Sequence, residues 1–465
     1  MFTFAGKLQT NNFSSIMANV IKIKKGLDID LKGKASEVML RGRQSDSYAI
    51  VPDHYHGVIP KVLVKSGEKV KAGSVLMIDK NRPEIKFVSP VSGEVIAVNR
   101  GEKRKVLSIT VKPDSQIEYE DFGKKSVTSL NTDEVKNVIL DAGLWPFIKQ
   151  RPYDIIASPS DTPRDIFVSA FYSAPLAPNF DFVVKGQTND FQTGLDALLK
   201  LTTGKVYVGI RKGSPLKFSG VEMVEVEGPH PAANVGVQIN HIKPVNKGEI
   251  VWVVNPADVI VIGRLFNKGI ADFSRLIALT GSETTERGYI KAISGCSIGS
   301  LVTGKILEGQ EHIRIISGNV LTGTKVCKED YLGAYDSQIT VIPEGDDAAD
   351  FLGWASLGFD KYSVSHSYPT WLIGKGKEYT IDARIKGGKR AIIMSNEYDR
   401  VFPMDILPEY LLKAIIAYDI DKMENLGIYE VAPEDFALCE FVDTSKLEIQ
   451  KIVRNGLDLL YKEMN

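Results

Sequence analysis

The chain has 465 residues, with 57 Lys and Arg against 58 Asp and Glu and a formal net charge of −1. That length exceeds what one hydrophobic core organises and predicts about three domains. The balanced charge lacks the basic excess of a nucleic-acid binder, and 43% hydrophobic with 25% charged residues is an ordinary soluble composition.

The longest clean apolar runs, such as 259–262 and 411–417, fall far short of the roughly 18–20 residues that span a bilayer. Any membrane association therefore runs through a partner or a surface contact. Cys296, Cys327 and Cys439 are few, odd in number and widely spaced. They argue against a disulfide framework and for a reducing compartment. A private iron–sulfur cluster held by cysteine alone would need four thiolates.

Residues 1–16 lack the charged and apolar regions of a secretory signal. They read as a disordered tail or a mis-called start ahead of Met17. Residues 17–115 are strand-rich and punctuated by glycines. Within them, 57–111 reads as two similar halves, Val64-Lys-Ser-Gly-Glu-Lys-Val and Val91-Ser-Gly-Glu-Val. Period-2 valines around Ser-Gly-Glu turns predict a barrel-sandwich hybrid domain of the biotinyl/lipoyl type. That fold carries a cofactor on a lysine or serves as a rigid docking module. Lys80, after Ile78-Asp79, occupies the place of a modified lysine. Pro83 and a stretched hairpin argue that it is a plain surface lysine.

Residues 116–250 predict an α/β domain. A helix opens near Thr132, the expected N-cap, and ends at Gly143. Apolar strands at 165–170 and 205–210 flank a helix at 191–201, and this alternation implies parallel pairing. Residues 251–330 predict a β-grasp module, with strands at 275–281, 289–293 and 312–316 around a short helix at 297–303. Residues 331–400 show no periodicity and read as an irregular connection. Residues 401–465 turn helical, with leucine and isoleucine at i, i+3, i+4 spacing.

Several motifs fall to bland readings. Gly299-Ser-Leu-Val-Thr-Gly-Lys305 mimics a phosphate-binding loop, but Ile306 takes the place of the magnesium-binding hydroxyl. A glycine ending a short helix explains it better. No G-x-G-x-x-G follows a strand. His54 and His56 could share a face, yet no other histidine has metal-ligand spacing with them. Arg211-Lys212-Gly213 is a basic loop at a strand's C-terminal end, where open α/β sheets bind ligands. Gly228-Pro-His-Pro-Ala232 holds one imidazole between two prolines, which restricts where it points.

The segments Lys24-Lys-Gly-Leu-Asp28, Ser89-Pro-Val-Ser-Gly93, Arg100-Gly-Glu-Lys-Arg104, Arg151-Pro152, Ala174-Pro-Leu-Ala-Pro178, Gly228-Pro-His-Pro-Ala232, Val320-Leu-Thr-Gly323, Asp405-Ile-Leu-Pro408 and Ala437-Leu-Cys439 occur in order along the chain. In these the chain resembles the A-type subunits of the sodium-translocating NADH:quinone reductases (Na+-NQR). The resemblance implies a multidomain α/β and α+β protein: barrel-sandwich hybrid, Rossmann-like α/β, SLBB-like β-grasp and a C-terminal helical segment. It also implies a peripheral, cytoplasm-facing subunit of a six-subunit pump in the bacterial inner membrane, next to the membrane-embedded quinone-reductase subunit. Ubiquinone or menaquinone would be its bound substrate, with no flavin or iron–sulfur cluster of its own. NADH would be used elsewhere in the complex. A lipoyl- or biotin-type carrier and a scaffold binding no ligand are the alternatives.

The candidate quinone contacts, by chemistry and loop position, are Arg151, Arg211 and His230. Two departures stand out. Gln238 and Asn240 replace a His-x-His pair of many relatives. Asp443 stands near a second cysteine of theirs, which gives Cys439 a structural role. Trp145, Trp252, Trp354 and Trp371 offer intrinsic fluorescence for a quinone titration.

Overall fold

The structure is a computed structural model that describes residues 20–307, 312–346, 357–374 and 376–464. The expected N-terminal tail and Trp354 lie outside the described residues. β1 (Val20–Lys22) pairs in parallel with a strand near residue 225. The first residues of the expected barrel-sandwich segment therefore complete a different sheet.

β2 (Tyr48–Ile50), β3 (Pro60–Val62), β4 (Lys69–Val70), β5 (Val75–Asp79), β6 (Lys86–Val88), β7 (Gly93–Arg100) and β8 (Val106–Pro113) build two antiparallel sheets. Their orders are β2-β8-β7-β4 and β3-β5-β6. Leu76, Phe87, Val91, Val95, Ile109 and Val111 are buried in one apolar cluster, as period-2 alternation requires. Lys80 is exposed just past β5. Its loop is pinned on both sides. Asp79, 1% exposed, accepts from Asn81 N at 3.1 Å and from Arg82 Nε at 3.1 Å. Arg82 Nη1 donates to Ile156 O at 2.9 Å, in the next domain.

α1 (Thr132–Asp141) is capped by Asn131 and not by Thr132. Asn131 Oδ1 accepts from Glu134 N at 2.9 Å, and Glu134 Oε2 accepts from Asn131 N at 2.8 Å. This reciprocal box satisfies two amides that a threonine one residue later could not reach. The Thr132 hydroxyl donates instead to Lys200 O at 2.8 Å.

Next come β9 (Ile148–Arg151), β10 (Ile155–Ile156), β11 (Ile166–Ser169), α2 (Phe180–Val183), α3 (Thr188–Lys200), β12 (Val206–Arg211), β13 (Glu222–Glu227), α4 (Val235–Ile242), β14 (Val251–Val254) and α5 (Pro256–Lys268). Seven strands form one sheet in the order β1-β13-β12-β11-β14-β9-β10. β1 to β14 in that order run parallel, β9 joins β14 antiparallel, and β10 pairs antiparallel with β9. The expected β-grasp boundary at 251 is corrected here. β14 pairs with β11 and β9, and the apolar run 259–262 lies inside α5. A short apolar run reads alike in a buried strand and a buried helix. The missed signal was Asn255-Pro256, an N-cap followed by proline at the first helical position.

The β-grasp unit comprises β15 (Ser274–Thr280), β16 (Gly288–Ile293), α6 (Ile298–Val302), β17 (Ile313–Ser317), β18 (Thr324–Val326) and β19 (Gln338–Pro343). Its sheet order is β16-β15-β19-β17-β18. β19 is the central strand, although 331–400 was expected to be irregular. Ile339 and Val341 are fully buried, and β19 runs parallel to β15. Its burial on both faces removes the alternation by which a strand is recognised. Gly304, at φ +75°, follows α6 as a C-terminal glycine, in keeping with the rejection of a phosphate loop.

The remaining helices are α7 (Thr370–Ile373), α8 (Glu397–Val401), α9 (Pro408–Ile416), α10 (Ile420–Asn425), α11 (Ala437–Val442) and α12 (Ile449–Met464). α12 buries Ile449, Val453, Leu457 and Leu460 along one face. They share a core with Val224 and Val226 of β13 and Val237 of α4. The C-terminal helices thus cover the α/β sheet and belong to it energetically.

α3 and α5 cross at two glycines. A Cβ on Gly263 would lie 1.7 Å from Asp190 O, and one on Gly194 would lie 2.1 Å from Val259 O. Both obstacles are helix backbone, which cannot move aside as a side chain can. Gly263→Ala is expected to destabilise the protein by about 1–3 kcal/mol, read as a lower urea midpoint with an unchanged slope. An unchanged midpoint would show that the helices separate at little cost.

Candidate functional site

β11 is followed by β12 and β13 on one side, whereas β14 returns to its other side. The winding reverses between β11 and β14. Loops diverge there, so open α/β sheets bind ligands beyond the strands' C-terminal ends at that point. A cavity of about 460 Å³ lies there, large enough for a ring-sized ligand. The α/β domain supplies the loop after β11 (Phe171 to Ala174), Asn255 and Pro256 after β14, and Lys149 of β9. The β-grasp unit supplies Asn319, Tyr335 and Asp336, and the C-terminal region supplies Glu434 and Gln450.

The polar groups of this cavity are held in place. Lys149 Nζ sits 4.6 Å from the centre of the Tyr335 ring and 3.5 Å from Asp154 Oδ1. Tyr335 donates its hydroxyl to Pro146 O at 2.8 Å. Tyr172 donates to Asn255 Oδ1 at 3.0 Å, so the cap of α5 is tied to the cavity wall. Asp336 receives the Ser317 hydroxyl at 2.6 Å. Burial pushes the Asp336 carboxyl up from its usual range, against the pull of Ser317, Arg275 and Lys149. The N-terminal ends of α4 and α5 meet the cavity at Asn234, Val235, Asn255 and Pro256. Their dipoles favour an electron-rich oxygen in this space. The arrangement suits a planar ligand with acceptor oxygens, gripped by aromatic walls.

Two buried ion pairs join the three units around it. Arg151, 1% exposed, donates from Nη1 to Asp435 Oδ2 at 2.7 Å and to Glu430 O at 2.7 Å. Its Nη2 reaches Glu434 at 3.1 Å. Burial works against the guanidinium charge, and Asp435 and Glu434 more than restore it. On the other side Arg275 Nη2 meets Asp258 Oδ1 at 2.9 Å, linking β15 to α5. Burial pushes Asp258 up to about 6, and Arg275 limits the rise.

The three residues singled out from sequence gather around the loop after β11, but only Arg151 lines the cavity. Its donors are largely taken by the C-terminal acids. Arg211, at the end of β12, donates to Tyr172 O at 3.0 Å and lies 5.9 Å from the Phe171 ring centre. His230, 3% exposed, pairs its Nδ1 with Ser173 Oγ at 3.0 Å, and burial lowers it to about 4. Both brace residues that line the cavity. Lys149 and Asp336 carried no sequence signal: each is an isolated charge, brought to the cavity by β9 and by the turn before β19, far apart in sequence.

Gln238 donates to Ser169 Oγ at 2.9 Å, and Asn240 donates to Glu430 Oε2 at 2.8 Å. The Gln238 and Asn240 amides therefore stitch α4 to β11 and to the C-terminal region. Asp443 accepts from Tyr398 Oη at 2.8 Å and from Leu447 N at 2.7 Å, next to buried Cys439. Among the described residues no group of histidine, cysteine and carboxylate side chains could hold a metal ion. His56 instead pairs with Asp458 at 2.8 Å. No helix among them is long and apolar enough to cross a membrane.

Three family models match in succession. They are the NqrA N-terminal barrel-sandwich hybrid domain over 21–114, the NqrA second alpha/beta domain over 130–271 and the NQRA C-terminal (SLBB) domain over 276–328. The chain is 36% identical over 450 residues to the A-type subunit of the Na(+)-translocating NADH-quinone reductase of Neisseria meningitidis serogroup A, covering 96% of this chain and 100% of that one. It is 35% identical over 450 residues, with the same coverage, to that of Yersinia pestis bv. Antiqua. Among solved structures, a chain of the NAD+-reducing NiFe-hydrogenase aligns at a TM-score of 0.36 and 11% identity over 71% of this chain and 61% of its own, too slight a likeness to build on. With near-full-length identity and all three domain models in order, the chain belongs to the NqrA family, the A-type subunits of the Na(+)-translocating NADH-quinone reductases.

Proposed function

We propose that this chain is the peripheral, cytoplasm-facing subunit of a sodium-pumping NADH:quinone oxidoreductase, and that it holds a quinone headgroup in the crevice beyond β11 and β14. The observation that carries this reading is the switch-point cavity, walled by aromatics, with the Lys149 ammonium held over the ring of Tyr335. Lys149 faces one quinone carbonyl. Asp336, whose carboxyl burial pushes up from its usual range, lies at the other side of the cavity and tunes the field at the second carbonyl. Arg151 shapes the wall through its hold on Asp435, while Arg211 and His230 position Phe171, Tyr172 and Ser173. Ubiquinone or menaquinone is the ligand. NADH oxidation, flavin and iron–sulfur chemistry and sodium export belong to the other five subunits, and the neighbour is the membrane-embedded quinone-reductase subunit.

Trp145 and Trp252 form a buried edge-to-face pair at 5.4 Å, two residues or fewer from the cavity-lining Phe147 and Val253. They should report quinone by quenching. Lys149→Met is expected to weaken quinone affinity roughly ten-fold or more, because a charge-assisted hydrogen bond is worth about 1.5–3 kcal/mol, and Asp336→Ala is expected to weaken it by a smaller factor. Unchanged affinity in both variants would remove the headgroup from this crevice.

The barrel-sandwich module acts here as a docking element and not as a cofactor arm, since Asp79 and Arg82 anchor the loop that bears Lys80. The intact mass of protein from its native host should equal that of the unmodified chain. A lipoyl or biotinyl adduct on Lys80 would establish the carrier reading instead.

A further inference from the structure

We propose, on the quinone reading of the crevice, that Glu434 distinguishes quinone from quinol. Its protonated carboxyl donates to a quinone oxygen, and its carboxylate accepts from a quinol hydroxyl. One proton, with no other chemical step, then sets which form the crevice holds.

The turn Pro433–Phe436 presents two acids to one guanidinium. Arg151 reaches Asp435 Oδ2 at 2.7 Å and Glu434 Oε1 at 3.1 Å. Asp435 is buried and closed off from the cavity side. A Cβ on Gly236 would lie 2.5 Å from Asp435 Oδ2 and 2.5 Å from Arg151 Nη1, so the first turn of α4 packs directly onto that pair. Ala432 N also donates to Asp435 Oδ2, at 2.9 Å. Glu434 is the acid on the open side. It lines the cavity, its side chain is 45% exposed, and its Oε2 has no protein partner among the described residues. Asn234 Nδ2 donates to Glu434 O at 3.2 Å, which fixes the backbone from which the carboxyl projects.

The charges facing Glu434 are Arg151 and Lys149 from β9, Asp154 from the turn after β9, and Asp435 beside it. Lys149 sits 3.5 Å from Asp154. Counting Glu434 itself, three acids face two cations, an imbalance that one proton removes. Desolvation and Asp435 push the Glu434 carboxyl up from its usual range, against the pull of Arg151 and Lys149. A neutral headgroup that displaces the remaining water favours the protonated donor further. A quinol hydroxyl is itself a donor and favours the carboxylate.

The full chain is to be titrated with a short-chain ubiquinone, and with its quinol in the absence of oxygen, by tryptophan quenching between about pH 5.5 and 8.5. Quinone affinity should fall roughly ten-fold as pH rises, and quinol affinity should rise, because deprotonation removes a donor and creates an acceptor. His230, lowered to about 4 by burial, stays neutral over this range. Glu434→Gln keeps an acceptor for Arg151 and offers a donor at every pH. It should bind both forms without a pH slope and with unchanged circular dichroism. Asp336→Asn, across the cavity, should keep the slope. A flat wild-type profile, a slope that persists in Glu434→Gln, or a slope lost in Asp336→Asn overturns the role of Glu434 alone. Absence of quenching by either form at every pH overturns the quinone reading as well.

Discussion

The buried charge of Arg151 is the constraint on which this architecture turns. It sits on β9, an antiparallel addition to an otherwise parallel sheet, with its guanidinium removed from water. A buried cation without a partner costs several kcal/mol. Its partners, Asp435, Glu434 and the Glu430 carbonyl, all come from the C-terminal region. The α/β domain is therefore incomplete without the last helices, and the helices have a reason to dock where they do. Arg454 of α12 adds to the same seam by donating to Tyr153 O at 2.6 Å.

The Asp258–Arg275 pair plays the matching part for the β-grasp unit. It lies between α5 and β15, close to Phe147, whose ring centre is 5.8 Å from Arg275. Between these two fixed seams the chain leaves a space that neither domain could enclose alone. Aromatic side chains line it because they provide area at low conformational cost, and its few charges are held by neighbours. A site assembled in this way is pre-shaped, so a ligand pays little to order it.

Much of the plan was legible in the sequence. Period-2 valines around glycine turns marked the barrel-sandwich, and alternating apolar strands and helices marked the α/β domain. Ordered short motifs pointed to the family. What escaped were elements whose burial erases periodicity. β19 is covered on both faces, and the apolar centre of α5 reads like a strand. β1 escaped because a short edge strand has meaning only beside β13. The Asn131 cap was missed by one residue, since Thr132 is an equally acceptable cap until the Glu134 side chain is seen to reach back.

The candidate site divides along the same line. Arg151 and His230 stood out because prolines and glycines mark their loops, and local sequence reports local rigidity. Their roles could not be read that way. Whether a guanidinium grips an acid or a ligand depends on residue 435, far away in the chain. Local pattern thus determined the domain types, the absence of a long apolar run and the family. Which charges are buried, which strands meet at the switch point, and that Lys149 and Asp336 share one cavity were decided only by tertiary packing, because those contacts join segments whose separation in sequence carries no local signal.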